Sequence, residues 1–185
     1  MVREEVIGKL AQLAGPLGPF ETPETRQQEQ ETWFNHLQIA LPELIEHLLD
    51  ALIHPPEAME IHPAGHEDFE FELSGLLTLL GQRDPGAMLE RIGPLLANKE
   101  ARPAVIEIIG GLQTEEGIRW LAPFVYATQL TEDELIRLAC ALGEIGGASA
   151  KLLLEQMQQS VPAEMTDVFD EIDIALHAMP PGSKS

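Results

Sequence analysis

Leu80-Gly81-Gln82-Arg83-Asp84, running on to Ile92-Gly93-Pro94-Leu95-Leu96, can be laid over Ile109-Gly110-Gly111-Leu112-Gln113, running on to Leu121-Ala122-Pro123-Phe124-Val125. Both copies place a small residue and then a proline inside their second apolar segment. A third copy opens at Leu142-Gly143-Glu144-Ile145-Gly146 and reaches Leu152-Leu153-Leu154. The spacing is about thirty residues, the length of a helix-turn-helix unit and within the range of helical solenoids. Each unit carries apolar stripes that it cannot bury alone, so neighbouring units are expected to stack and cover one another. An irregular helical bundle is the rival arrangement. The joint recurrence of two turn positions and an internal proline favours stacking.

Start and stop signals divide the chain from about Leu73 onward into short helices. Asp84-Pro85 sets a capping carboxylate before a proline at the first helical position, Thr114 precedes Glu115 and Glu116, and Thr131 with Glu134 fits a capping box. Gly81, Gly110-Gly111, Gly146-Gly147 and Pro180-Pro181-Gly182 read as helix stops. Aromatics make up only 5% of a chain dominated by Leu, Ala, Ile, Glu and Gln, residues that lose little rotamer freedom in a helix or pack between helices. The only two-residue alternation is the short series Phe69, Phe71, Leu73. The expected fold is all-α, an α-α superhelix (solenoid) of stacked antiparallel helix pairs with an N-terminal helical cap.

The cap is assigned to residues 1–56. A first helix is expected from about Arg3 to Ala14, and Thr22-Pro23-Glu24 opens a second one. Pro42 should end or kink that helix near Ile39 to Leu41, after which Leu44, Ile45, Leu48, Leu49 and Leu52 form an apolar stripe. An acidic loop containing His and Pro follows at 57–72, then the repeats at 73–179 and a tail at 180–185. A connection of that length is uncommon unless it is functional or mobile.

The segment from Ala141 through Gly146-Gly147 to Leu153, together with Gly81-Gln82-Arg83-Asp84-Pro85-Gly86-Ala87, resembles the short HEAT-type repeats of phycobilisome lyase-like proteins. The likeness covers roughly Leu73 to Ala178 and implies paired-helix stacking, with bilin handling as one functional possibility. Repeats of that kind carry an acidic turn followed by an Arg near the start of the first helix. Here Glu132, Asp133 and Arg137 occur, with Arg137 too close to Gly143 for a clean match.

Charge bounds the function more tightly. The 31 Asp and Glu against 11 Lys and Arg give a net charge of −20, which disfavours direct binding to nucleic acid or to an anionic membrane surface. Between Arg26 and Arg83 there is no Lys or Arg, while Glu57, Glu60, Glu67, Asp68, Glu70 and Glu72 crowd the end of that stretch. A second basic-free run after Lys151 holds Glu164, Asp167, Asp170, Glu171 and Asp173. Such runs are either solvated faces that keep the chain soluble or a docking face for a basic partner, whose attraction weakens as salt rises. Trp33, beside Glu29 and Glu31, is read as core or as an interface anchor. The start of the sequence lacks the basic-then-apolar order of a secretory signal, no apolar run reaches the roughly 20 residues of a membrane span, and a cytoplasmic location is expected.

His62 and His66 have the four-residue spacing that lets two imidazoles meet one metal on a helix, and Glu67 follows. Pro63 and Gly65 interrupt that stretch, so structural or solvated histidines are preferred and no metal or other cofactor is assigned. The lone Cys140, among Ala139, Ala141 and Leu142, reads as a small buried apolar residue. Trp120 and Phe124, four apart, read as a core stripe. No catalytic residue is assigned. The leading expectation is a non-enzymatic adaptor, scaffold or assembly factor that holds a basic protein. The alternatives are a subunit of a phycobilin lyase-like complex, a HEAT-like metal-dependent hydroxylase and an acidic mimic of nucleic acid.

Overall fold

The computed structural model describes residues 41–54, 65–127 and 129–179, with Thr22, Glu24, Thr25, Gln28, Glu29 and Thr32; the side chains of 41, 65–69, 71 and 72 are not included. Among the described residues there are eight α-helices and no strand. They are α1 (Leu41–Ile53), α2 (Gly65–Gly81), α3 (Pro85–Ile92), α4 (Arg102–Gly111), α5 (Ile118–Leu121), α6 (Glu132–Ile145), α7 (Gly147–Ser160) and α8 (Thr166–Ala178). The all-α expectation holds for them. By its contacts the chain divides into two compact units, Met1–Leu77 and Thr78–Ser185.

In the first unit, Leu44, Ile45, Leu48, Leu49 and Leu52 of α1 are all buried, the three-and-four spacing that puts one face of a helix in a core. Pro42 lies in the first turn of α1, where its missing N–H breaks no helical hydrogen bond. Helix α2 starts at Gly65, so residues 65–72 are helical and do not belong to the expected loop. The series Phe69, Leu73, Leu76, Leu80 has helical spacing over a longer stretch than the alternation Phe69, Phe71, Leu73, and its last three members are buried. The remainder of the expected loop, 57–64, lies outside the described residues, as do the first helix and the 180–185 tail.

In the second unit, α4 packs on α6 and α6 packs on α8, while α7 packs on both α6 and α8. A 3₁₀ segment, Gly93–Ala97, continues α3, and a second, Ala122–Tyr126, continues α5 and packs on α7. Both carry a proline near their start, Pro94 and Pro123. Proline lacks the N–H that would bond four residues back, so each helix tightens into 3₁₀ geometry at that point. The proline that recurs in the sequence thus marks a change of helix type. Leu89, Ile106, Ile109, Leu138, Leu142 and Leu154 have no exposed surface, and each such side chain contributes about 1.5–3 kcal/mol by leaving water.

The expected caps divide. Asp84 Oδ1 accepts from the Ala87 N–H at 3.1 Å. Thr131 Oγ1 accepts from the Glu134 N–H at 3.2 Å while Glu134 Oε2 accepts from the Thr131 N–H at 2.8 Å, a complete capping box. Thr114 makes no side-chain cap bond; its hydroxyl is buried without a hydrogen-bond partner among the described residues. It precedes a three-residue 3₁₀ turn, Glu115–Gly117, whose Gly117 N–H donates to the Thr114 carbonyl at 3.0 Å and not to its side chain.

The glycines divide as well. Gly146 and Gly147, at φ 68° and 82°, join α6 to α7 with no intervening loop. Gly146 pairs its positive φ with ψ −167°, a region essentially restricted to glycine. Gly81, Gly110 and Gly111 lie inside the last turns of their helices without a positive φ. Helices α2 and α4 do end at Gly81 and Gly111, as expected, but what these glycines supply there is room and not a left-handed turn. A Cβ on Gly110 would stand 2.7 Å from both Cα and Cβ of Ala141, and one on Gly81 would stand 2.7 Å from Leu112. The left-handed residue after α4 is Gln113, at φ 52°.

Candidate functional site

Helix α8 begins after Met165 and carries Asp167 in its first turn, where a negative charge meets the positive end of the helix dipole. Glu164, Asp167, Asp170 and Asp173 are exposed and Glu171 is half-buried. Val168, Ile172 and Ala175 on the same helix are buried, so the packing that anchors α8 leaves most of its carboxylates in water. Asp173 accepts from Gln158 Nε2 at 2.8 Å. Among the described residues, none of these five carboxylates has a Lys or Arg partner.

The arginines are engaged elsewhere. Arg119 reaches back to Glu90, 29 residues earlier, and to Glu116 at 3.0 Å. Arg137 bonds Glu107, 30 residues earlier, and Asp133 at 2.8 Å. Gln82 Nε2 donates to the Gly111 carbonyl, and Tyr126 donates to Gln156, across similar intervals of 29 and 30. Side chains one sequence period apart therefore meet repeatedly. Surface pairs of this kind contribute little each, and they engage Arg119 and Arg137 away from the carboxylates of α8.

One bridge is buried. Arg102 and Glu134 are 8% and 5% exposed. Arg102 Nη1 donates to Glu134 Oε1 at 3.0 Å and Nε donates to the Leu96 carbonyl at 2.7 Å, while the guanidinium lies 5.5 Å from the Phe124 ring centroid. The second Glu134 oxygen closes the capping box. Every strong acceptor of the carboxylate is thus used, which is the condition for tolerating a buried pair. The pair joins the ends of three segments: the 3₁₀ turn after α3, the start of α4 and the start of α6.

A pocket of about 200 Å³ opens at one end of the second unit. Val125, Tyr126 and Ala127 line it from the end of the second 3₁₀ segment, Leu130 and Leu135 from the entry to α6, and Ser160, Val161, Pro162 and Met165 from the link between α7 and α8. No lining residue is charged. Tyr126 stands at 62% exposure, its hydroxyl held by Gln156. Exposed Glu132 and Glu164 each fall between lining residues in sequence. Small-molecule sites usually span about 300–1,000 Å³, so this pocket has room for one side chain and little more.

Of the residues expected to bind a partner, Glu164, Asp167, Asp170, Glu171 and Asp173 are brought together on or beside α8. Glu70 lies half-buried on α2, while Glu67, Asp68 and Glu72 sit on the same helix with side chains outside the described residues. Glu57, Glu60 and Trp33 lie outside the described residues altogether. His62 does too, and the side chains of His66 and Glu67 are not described, so that possible metal pair is not placed. Among the described residues no group of three or more His, Cys, Asp and Glu could hold a metal, and no helix is long and apolar enough to cross a membrane.

Cys140 is half-buried, and burial followed by its hydrogen bond and proximity to Glu171, with Glu144 adding to the effect, pushes its thiol up to about 12. A thiolate is the reactive form, so this sulfur is held inert. Partial desolvation also raises the Glu144 carboxyl, although the residue keeps an exposed surface. Trp120 packs its ring where a Gly93 Cβ would stand, 2.5 Å away, with Arg119 5.6 Å from the ring centroid. The buried pair and the pocket were not foreseen from sequence. One signal for the pair was available: Arg102 lies in the first turn of a helix, where the dipole disfavours a cation, so a specific acceptor could have been sought. No family model, curated protein or solved structure matches the chain.

Proposed function

We propose that the protein is a non-enzymatic interaction module that holds a basic protein partner on an acidic helical-repeat surface. The observation that carries this reading is the run Glu164, Asp167, Asp170 and Asp173, exposed on or beside α8 and without Lys or Arg partners among the described residues. Carboxylates gathered in this way repel one another and weaken the compact state, and a cationic partner relieves that repulsion. Such attraction speeds encounter and selects partners by charge.

The superhelical arrangement of HEAT-type hairpins belongs to the same proposal. It is supported by the succession of α4 on α6 and α6 on α8, and by side-chain bridges that recur at intervals of 29, 30 and 32 residues. Stacked hairpins offer an extended surface suited to another chain.

The test compares proteins recovered from native lysate by the full chain with those recovered by the triple variant Glu164→Gln, Asp167→Asn, Asp170→Asn, at low and high ionic strength. A basic protein retained by the wild type at low salt, and lost in the variant or at high salt, is the expected result. Identical recoveries by both chains at both salt concentrations overturn the reading.

A further inference from the structure

We propose that the pocket beside Tyr126 is the anchor site of this surface, receiving one aliphatic side chain from a basic peptide segment whose cations reach Glu132 and Glu164. The proposal rests on the reading of the protein as a module for basic partners, and it specifies where and how a peptide would seat.

Size limits the occupant to a single side chain, since about 200 Å³ lies below the usual range for small-molecule ligands. Lining limits its chemistry. Leu130, Leu135, Val161 and Met165 offer apolar walls, and no charged group faces inward. Ser160 Oγ is turned to the Met157 carbonyl at 3.1 Å, and the Tyr126 hydroxyl is held by Gln156, so both polar side-chain groups at the wall have partners of their own. Tyr126 itself remains 62% exposed, an amphipathic side chain of the kind found at the centres of protein interfaces.

Charge limits what surrounds the anchor. In sequence, Glu132 lies between the lining residues Leu130 and Leu135, and Glu164 between Pro162 and Met165, and both are exposed. Asp167 follows in the first turn of α8. A segment that buried a leucine here would set its neighbouring residues against carboxylates, which favours Lys and Arg and disfavours Asp and Glu at those places. Charge supplies attraction that salt weakens; the anchor supplies a part that salt does not.

Three labelled peptides test this against the full chain by fluorescence anisotropy: a lysine- and arginine-rich nonapeptide with a central leucine, the same peptide with glycine at the centre, and an acidic peptide with the central leucine. The leucine form is expected to bind about tenfold more tightly than the glycine form, as burial of one aliphatic side chain implies. That ratio should persist at high salt while both affinities fall. Ala127→Leu, which puts a side chain into the pocket, should bring the two basic peptides to equal affinity.

Equal binding of the leucine and glycine peptides to the wild type overturns the anchor and leaves the acidic-surface reading standing. Binding of neither basic peptide overturns both. Equal binding of the acidic peptide removes the charge requirement and so the proposal. A leucine preference that survives Ala127→Leu, and also Met165→Gln, places the anchor elsewhere and overturns the assignment of this pocket.

Discussion

Replacing Gly110 by alanine gives a test whose sign decides between two roles for a glycine at a helix end. If Gly110 merely occupied the last turn of α4, alanine would stabilise the protein by about 1 kcal/mol, the difference in helix propensity between the two residues. The packing dictates the opposite. The new Cβ would stand 2.7 Å from the Ala141 Cα and Cβ and 2.9 Å from Glu144 Oε2. Backbone of α6 cannot rotate aside as a side chain can, so α4 and α6 must separate. Overpacking of this kind costs about 1–3 kcal/mol, and contact with a backbone atom places it toward the upper end. Subtracting the propensity gain leaves a net loss of about 1–2 kcal/mol. Urea unfolding followed by circular dichroism measures it, with Gly75→Ala as control, since nothing lies within 4 Å of a Cβ there and that change should stabilise. The double variant Gly110→Ala, Ala141→Gly should recover part of the loss, as coupled neighbours do. A Gly110→Ala protein as stable as the wild type or more so would refute the close-packing account of α4 against α6.

Three further outcomes concern Arg102, Glu144 and Cys140. Arg102→Ala leaves Glu134 buried without its cation and should cost about 3–5 kcal/mol in the same unfolding assay; a loss under 1 kcal/mol would mean that the pair is not desolvated. The folded-state carboxyl of Glu144 is raised above the ordinary 4.5, so the folded chain holds that proton more tightly than the unfolded chain. Its contribution to stability is complete below the ordinary value and is lost as pH rises through the raised one, so Glu144→Gln should be more stable than wild type at neutral pH and lose that advantage in acid. With its thiol pushed up to about 12, Cys140 should react with iodoacetamide at pH 8 far more slowly in the native protein than in urea, and equal rates would contradict its burial.

Local chemistry made the secondary structure legible. Asp84 and Thr131 with Glu134 cap where their spacing said they would, because a cap is settled by residues three apart. The buried stripe of α1 follows from its three-and-four spacing alone. Glycine marked the helix ends without telling their cause, because two different needs, a left-handed turn at Gly146 and Gly147 and space at Gly81 and Gly110, call for the same residue. Arg102 and Glu134 escaped notice because they are 32 residues apart, and nothing local to either names the other. The carboxylates of α8 were visible as a run in the sequence; the pocket beside them was not, since its walls come from three separate segment ends.

The two-glycine corner between α6 and α7 also sets the direction in which α7 leaves α6. Helix α7 has 14 residues, so at 1.5 Å per residue it is an arm of about 21 Å, and a 10° change in torsion at the corner would swing its tip by roughly 3–4 Å. That tip leads into Val161 and Pro162, two of the walls around the Tyr126 cavity. The placement of those two walls thus depends on the backbone angles of two distant glycines as well as on the packing of α7 against α6 and α8.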